Sequence, residues 1–331
     1  MNKLLSKNVF RLIKTTKRHY QVTVVGGASD VGQTLCLLLR TEPAVTKLVV
    51  HDTRIHTPGV VLDLSHIPSE VDVQGYAGDD TLGMALKNAN IVIGAGGLVR
   101  KPGISEKLWL SNNTAFIKTL SMQVAKMDPL PFLGIVTEPI NCLVPMATEV
   151  LRNHGHYDPR KLFGVTGLDA LRAQTLYAEE NNISPRNCVV PVIGGHSEKT
   201  LIPLLSQAQP SVDVNDAISQ NFTLKYRKFH ERIANAKSGK SPVLSVAYSA
   251  LLFTRSVLNA LDGQQTRVHA FIENNDFGTA YFGGLVDINH EGVKEMLRYT
   301  TLTPYECQLL EQSFNELRKD VLKGKKVLEF A

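Results

Sequence analysis

The sequence predicts an α/β protein, with a parallel sheet covered by helices on both faces and a second lobe of α+β type. Three observations carry this. Short β-branched runs alternate with helical stretches through the first half. A glycine-rich turn joins the first run to the first helix. The second half changes character, with long helices and scattered strand runs.

Residues 21–25 form a β-branched run ending at Gly26, the pattern of a buried strand. Residues 31–40 read as a helix with a leucine-rich face that stops before Pro43. Residues 47–51 are a second strand, with Asp52 at its end. A third spans 90–93 and runs into a Gly-rich turn, then a polar, Pro-containing loop to about Lys107. Residues 132–137 make the next strand. In the second half, 168–181, 224–236 and 243–261 read as helices and 189–193, 268–272 and 281–285 as strands. Residues 304–322 are a closing helix with Pro304 near its start.

With 43% hydrophobic and 20% charged residues, the composition is globular and excludes collagen-like and disordered classes. Cys36, Cys142, Cys188 and Cys307 are too scattered for a disulfide framework or zinc cluster, which points to a reducing compartment. The ten histidines form no ligand-spaced group, so no metal is expected. No apolar stretch reaches the roughly 18 residues of a spanning helix, so no membrane insertion is expected.

The formal charge of +5 sits at one end. Residues 1–20 hold Lys3, Lys7, Arg11, Lys14, Lys17, Arg18 and no acid, and the rest of the chain is left at −1. Net charge therefore gives no case for nucleic acid as a partner. On a helix, Leu5, Val9, Leu12 and Ile13 share one side, opposite Lys7, Arg11, Lys14 and Arg18. That is the composition of a mitochondrial presequence, and also of a basic tail. Arg18-His19-Tyr20 resembles a matrix-peptidase site cleaved after Tyr20. The expected organisation is a presequence at 1–20, a dinucleotide-binding domain at 21–165 and a substrate domain at 166–331, with the mitochondrial matrix as destination.

GGASDVG, residues 26–32, lies between the first strand and helix. Such a turn sets Gly26, Gly27, Ser29, Val31 and Gly32 and a helix N-terminus against a pyrophosphate, a Rossmann signature. Asp52, 20 residues beyond Gly32, stands where an acid binds ribose hydroxyls and favours NAD over NADP; alone it is equally a turn residue. Ser29 holds the middle glycine's place, where a Cβ crowds the cofactor. Asp30 is expected to repel the pyrophosphate by roughly 3 kcal/mol per charge pair at a 5 Å separation and effective dielectric of 20.

Three later features carry chemistry. Asp169 and Arg172 share a helix face, His196 follows Gly194-Gly195, and Arg100 lies in the polar loop. His supplies acid–base chemistry, an aspartate fixes its tautomer, and arginines clamp carboxylates. Singly, each has a plainer reading: a surface pair, a turn residue, a solvated loop charge.

From about residue 21 to 330 the chain resembles mitochondrial-type malate dehydrogenase, within the lactate/malate dehydrogenase superfamily, as a divergent member. The stretches are HTPGVVLDLSH (56–66), VRKPG (99–103), FGVTGLDALRA (163–173) and VPVIGGHSEKTLIPL (190–204). The resemblance implies an NAD-dependent hydride transfer between malate and oxaloacetate. It implies His196 as proton acceptor oriented by Asp169, and Arg172 on the C1 carboxylate. Arg100 meets the second carboxylate, and Asn113 touches the cofactor. It also implies a homodimer, for which Leu62 and Leu64 are candidate contacts.

The chain departs from the family at two further positions. A second loop arginine, six residues after the first, is replaced by Glu106, followed by Lys107. Losing such a donor typically costs on the order of 10²–10³ in rate, and Glu106 is expected to oppose an anionic substrate. The family's Asn-Pro-Val-Asn turn is Glu138-Pro139-Ile140-Asn141, which puts Glu138 on the substrate. Burial and like charge are expected to protonate it. Two functions follow: a working malate dehydrogenase impaired at Ser29, Asp30, Glu106 and Glu138, or a paralogue with a structural or assembly role.

Overall fold

The computed structural model describes residues 19–101, 103–213 and 215–326. The segment read as a presequence therefore lies outside the described residues, except for His19 and Tyr20.

The first half runs β1 (Gln21–Val25), α1 (Asp30–Arg40), β2 (Lys47–Asp52), α2 (Thr57–Ser65), β3 (Asp72–Ala77), α3 (Leu82–Leu86), β4 (Ile91–Gly94), α4 (Glu106–Val124), β5 (Phe132–Ile135), α5 (Ile140–Asn153) and β6 (Leu162–Val165). The chain continues with α6 (Gly167–Glu180), β7 (Val192–Gly194), β8 (Leu201–Pro203), α7 (Asp216–Arg227), α8 (Phe229–Ala236) and α9 (Leu244–Leu261). It closes with β9 (Thr266–Glu273), β10 (Tyr281–Asn289), β11 (Gly292–Met296) and α10 (Pro304–Lys326).

The strands β3-β2-β1-β4-β5-β6 lie side by side and parallel, and β9, β10, β7 and β8 extend the sheet antiparallel from β6. All five residues of β1 are buried. Strands covered on both faces read as continuous β-branched runs instead of alternating ones. Strand order reverses between β1 and β4, and the carboxyl ends of the strands open there into the crevice where such sheets bind ligands.

Arg40 shows how the first crossover is fixed. It is 5% exposed and has no carboxylate partner among the described residues. Its guanidinium donates to the carbonyls of Leu64 (3.1 Å), Ile67 (3.0 Å), Ser69 (3.3 Å) and Val71. It thus closes the C-terminal end of α2, whose last carbonyls lack helical partners.

Several elements differ from expectation. The helix expected over 224–236 is two helices broken at Lys228, with α7 starting earlier, at Asp216. The strand expected at 189–193 is β7 at Val192–Gly194; Val189 makes only an isolated bridge to Gln209. The loop expected to reach Lys107 ends at Ser105, which caps α4. Leu244–Leu261 is 18 residues long with mean hydropathy 1.3, so one helix does meet the length and composition of a membrane span, contrary to expectation. Half of it is buried, packed on α1, α6 and β9, which makes it a core helix of this fold.

Candidate functional site

A groove runs from the end of β2 to the turn after β7. Its first part is a cavity of about 350 Å³ walled by Gly26, His51, Asp52, Arg54 and Asp79. Gly96 and Gly97 continue it past Ser29, Asp30 and Val31 to Asn113 and Glu138. It then opens into a cavity of about 660 Å³ holding Arg100, Asp169, Arg172 and His196.

The glycine turn is built by close approach. Gly26 has φ +83°, and a Cβ there would stand 2.2 Å from Gly96 Cα. A Cβ on Gly32 would lie 2.2 Å from the Gly26 carbonyl oxygen, so α1 packs tightly under the turn. Ser29 does not crowd the groove as expected. Its Oγ accepts from the Gly32 amide (2.9 Å) and donates to the Ala95 carbonyl (2.8 Å), capping α1. Asp30 and Val31 line the groove at this N-terminus, where first-turn amides have no helical partners and favour a pyrophosphate. Asp30 is exposed, which weakens the expected repulsion through solvent screening. A backbone cradle that side chains would fill, a helix N-terminus and an acid at the far end fit a dinucleotide.

Asp52 is less open than expected. Its Oδ2 accepts from the Ala28 amide (3.0 Å) and pairs with Arg54 Nη1 (2.6 Å). Asn113 also differs from its expected role. Its Oδ1 accepts from the Leu98 amide (2.5 Å), and its Nδ2 donates to the Leu98 (3.0 Å) and Glu138 (2.6 Å) carbonyls. Its side chain joins the polar loop to the Glu138 turn instead of standing free for a cofactor.

At the reaction end, α6 presents Asp169 and the turn after β7 presents His196. Nδ1 of His196 lies 2.5 Å from Asp169 Oδ2. The turn is held by Asn141, whose Oδ1 accepts from the His196 amide (2.8 Å) and whose Nδ2 donates to Asp320 (2.9 Å). Arg172, on the same helix as Asp169, has buried Nε and Nη2 atoms without a partner among the described residues. An unpaired guanidinium edge in a cavity suits a carboxylate ligand.

Glu138 changes the electrostatics. Its Oε1 lies 3.6 Å from His196 Nε2, so the imidazole stands between two carboxylates. Burial disfavours the imidazolium, but the charge and hydrogen bond of Asp169, followed by Glu138, outweigh it and raise His196 to about 10. Burial likewise pushes the Glu138 carboxyl up, but pairing with His196 and the charges of His230 and Arg172 hold it down to about 2. The proton uptake expected for Glu138 is thus reversed, because His196, Arg172 and His230 from other elements face it.

Arg100 is exposed, its guanidinium 5.3 Å from the Trp109 ring centre. Glu106 does not stand alone against a substrate as expected. It is hydrogen-bonded to Lys323 of α10, which lowers its pKa and balances its charge. Lys107 is exposed, outside the cavity wall. Asn141, Arg227, His230 and Lys323 line the cavity without having been singled out as site residues. Asn141 had a signal in the turn beginning at Glu138; Lys323 had none, being 217 residues from its partner.

Comparison with known proteins accords with this geometry. The lactate/malate dehydrogenase NAD binding domain matches residues 20–164, and the alpha/beta C-terminal domain of the same family matches 166–328. A malate dehydrogenase of Glaesserella parasuis is 40% identical over 92% of this chain and 98% of that protein. Mitochondrial malate dehydrogenases of Arabidopsis thaliana (92% of this chain, 89% of that protein) and Rattus norvegicus (94% and 92%) are 36% and 34% identical. A Cryptosporidium parvum malate dehydrogenase structure superposes with TM-score 0.79 at 20% identity, covering 92% of this chain and 99% of that one. A lactate dehydrogenase from the same organism gives 0.80 at 20% identity, covering 95% and 99%, and supports the fold alone. With an NAD-binding sheet, a histidine on a buried aspartate and relatives spanning nearly its whole length, the chain belongs to the lactate/malate dehydrogenase family.

Proposed function

We propose that this chain is an NAD-dependent L-malate dehydrogenase, interconverting malate and oxaloacetate as in the tricarboxylic acid cycle. The carrying observation is the 2.5 Å contact of His196 with Asp169 beside the unpaired edge of Arg172, all in one cavity. NAD, held along Gly26, Gly27, Gly32 and Asp52, supplies the hydride acceptor or donor when bound. Arg172 offers Nε and Nη2 to the two oxygens of the C1 carboxylate. His196 takes the 2-hydroxyl proton at Nε2 during oxidation and returns it during reduction. Asp169 keeps a proton on Nδ1, leaving Nε2 for the substrate, and stabilises the imidazolium. Arg100, on its exposed loop, reaches the second carboxylate.

The mitochondrial relatives and the basic segment 1–20 support residence in the matrix. A homodimer is supported by Ile55 and Leu62, 96% and 60% exposed at and beside α2; Leu64, at 6%, belongs to the core and drops out as a contact. Light scattering that gave a monomer would contradict this assembly.

The pairing of Glu138 with His196 supports a second reading, an impaired paralogue with a structural or assembly role. Steady-state NADH oxidation with oxaloacetate, run beside NADH binding by fluorescence, separates the two. Turnover establishes the first. Binding without turnover, with activity restored by Glu106→Arg plus Glu138→Asn, establishes the second. Neither binding nor turnover at millimolar cofactor overturns the first.

A further inference from the structure

We propose that Arg54 equips the adenosine end of the groove for a 2′-phosphate, so that NADPH binds here as well as NADH. The inference rests on reading the groove as a nicotinamide-dinucleotide site. An unpaired acid at the end of the second strand excludes a 2′-phosphate by charge repulsion. Asp52 is not such an acid. It is 5% exposed and its charge is balanced by Arg54 at 2.6 Å. Oδ2 is shared by Arg54 and the Ala28 amide, while Oδ1 accepts only the Arg54 amide at 3.2 Å and keeps capacity for a ribose hydroxyl.

Arg54 itself is poised for an anion. Its side chain is 37% exposed and lines the 350 Å³ cavity. Nη1 is engaged, while Nε and Nη2 have no partner among the described residues. A planar fork with free donors matches phosphate oxygens bidentately. Behind it, His51 Nε2 bonds the Gly78 carbonyl at 3.1 Å, and its buried Nδ1 has no partner among the described residues. Besides the paired Asp52, Asp79 is the other acid in this cavity wall; it is exposed and therefore screened.

The test is fluorescence titration of the full chain with NADH and NADPH, for the unaltered protein, Arg54→Ala and Arg54→Lys. The inference expects the unaltered protein to bind NADPH within about tenfold of NADH. Arg54→Ala removes the fork and uncovers Asp52, so NADPH weakens by about ten- to a hundredfold while NADH tightens. Arg54→Lys, with a point charge in place of a fork, falls between. Adenosine 2′,5′-bisphosphate is expected to displace NADH from the unaltered protein better than 5′-AMP, and to lose that advantage in Arg54→Ala. NADH binding without NADPH binding, or equal weakening of both cofactors by Arg54→Ala, overturns the role of Arg54. Binding of neither cofactor overturns the dinucleotide reading along with it.

Discussion

At the adenosine end of the groove Asp52 is paired with a guanidinium 37% exposed; at the reaction end Glu138 is paired with an imidazole 10% exposed. Both carboxylates stand where the fold meets a ligand, and both already hold an internal cation. The consequences differ. Arg54 keeps Nη1 on the buried Asp52 while Nε and Nη2 face the groove, so a ligand can be met without breaking the pair. The Glu138 pair engages Nε2, the atom that exchanges a proton with substrate. A change at the first end alters which cofactor is held, whereas a change at the second alters whether the acid–base group is in the right charge state. The Glu106–Lys323 pair at the cavity mouth differs from both, being exposed on both sides.

Substitutions ordered by expected effect sharpen this contrast. His196→Asn removes the proton carrier and is expected to lower kcat/KM for oxaloacetate by about 10²–10⁴-fold; an unchanged rate would place the acid–base group elsewhere. Arg172→Ala removes the two unpaired donors and is expected to cost about 10²–10³, chiefly in KM. A loss confined to kcat would contradict a substrate-clamping role. Glu138→Asn relieves the Nε2 pairing and is expected to raise kcat/KM for malate oxidation about tenfold near neutral pH, since one pKa unit is a factor of ten. Lys323→Ala frees Glu106 at the exposed mouth and is expected to change kcat/KM less than about threefold.

The pH dependence follows from the two shifts. Below about 10 His196 is held as the imidazolium, which serves reduction of the keto acid and hinders oxidation of the alcohol. Malate oxidation is therefore expected to climb through the alkaline range. For stability the signs oppose. The raised His196 contributes fully below its ordinary 6.5 and loses this as pH rises through about 10. The depressed Glu138 contributes above its ordinary 4.5 and loses this as pH falls toward about 2. Their joint contribution to Tm is expected to peak between these ordinary values, and a Tm that falls across that window for these groups alone would contradict the pairing.

In the parallel half, β1, β2, β4 and β5 were legible because local pattern sets them: β-branched runs, a glycine turn and Asp52 twenty residues on; β3 (Asp72–Ala77) and β6 (Leu162–Val165) were not read as strands. His196 and Asp169 stood out singly, each with a plainer reading as a turn residue or a surface pair, and only the family resemblance joined them. Partners from remote elements were not visible. Glu138 looked like an isolated acid until His230, Arg172 and His196 converged on it from α8, α6 and the turn after β7. Glu106 found Lys323 on the closing helix. Ser29 looked like a crowding residue because a glycine pattern does not show that its hydroxyl caps α1. The break at Lys228 escaped notice because both flanks are good helix formers, and no Gly or Pro marks it.

The central claim is that Glu138 and Asp169 together hold His196 protonated. Heteronuclear NMR titration of the histidine ring in the unaltered protein and in Glu138→Asn tests it without relying on turnover. The account predicts a His196 midpoint near 10 in the unaltered protein, falling by about one unit in Glu138→Asn. A midpoint near the ordinary histidine value, or one that Glu138→Asn leaves in place, would contradict it.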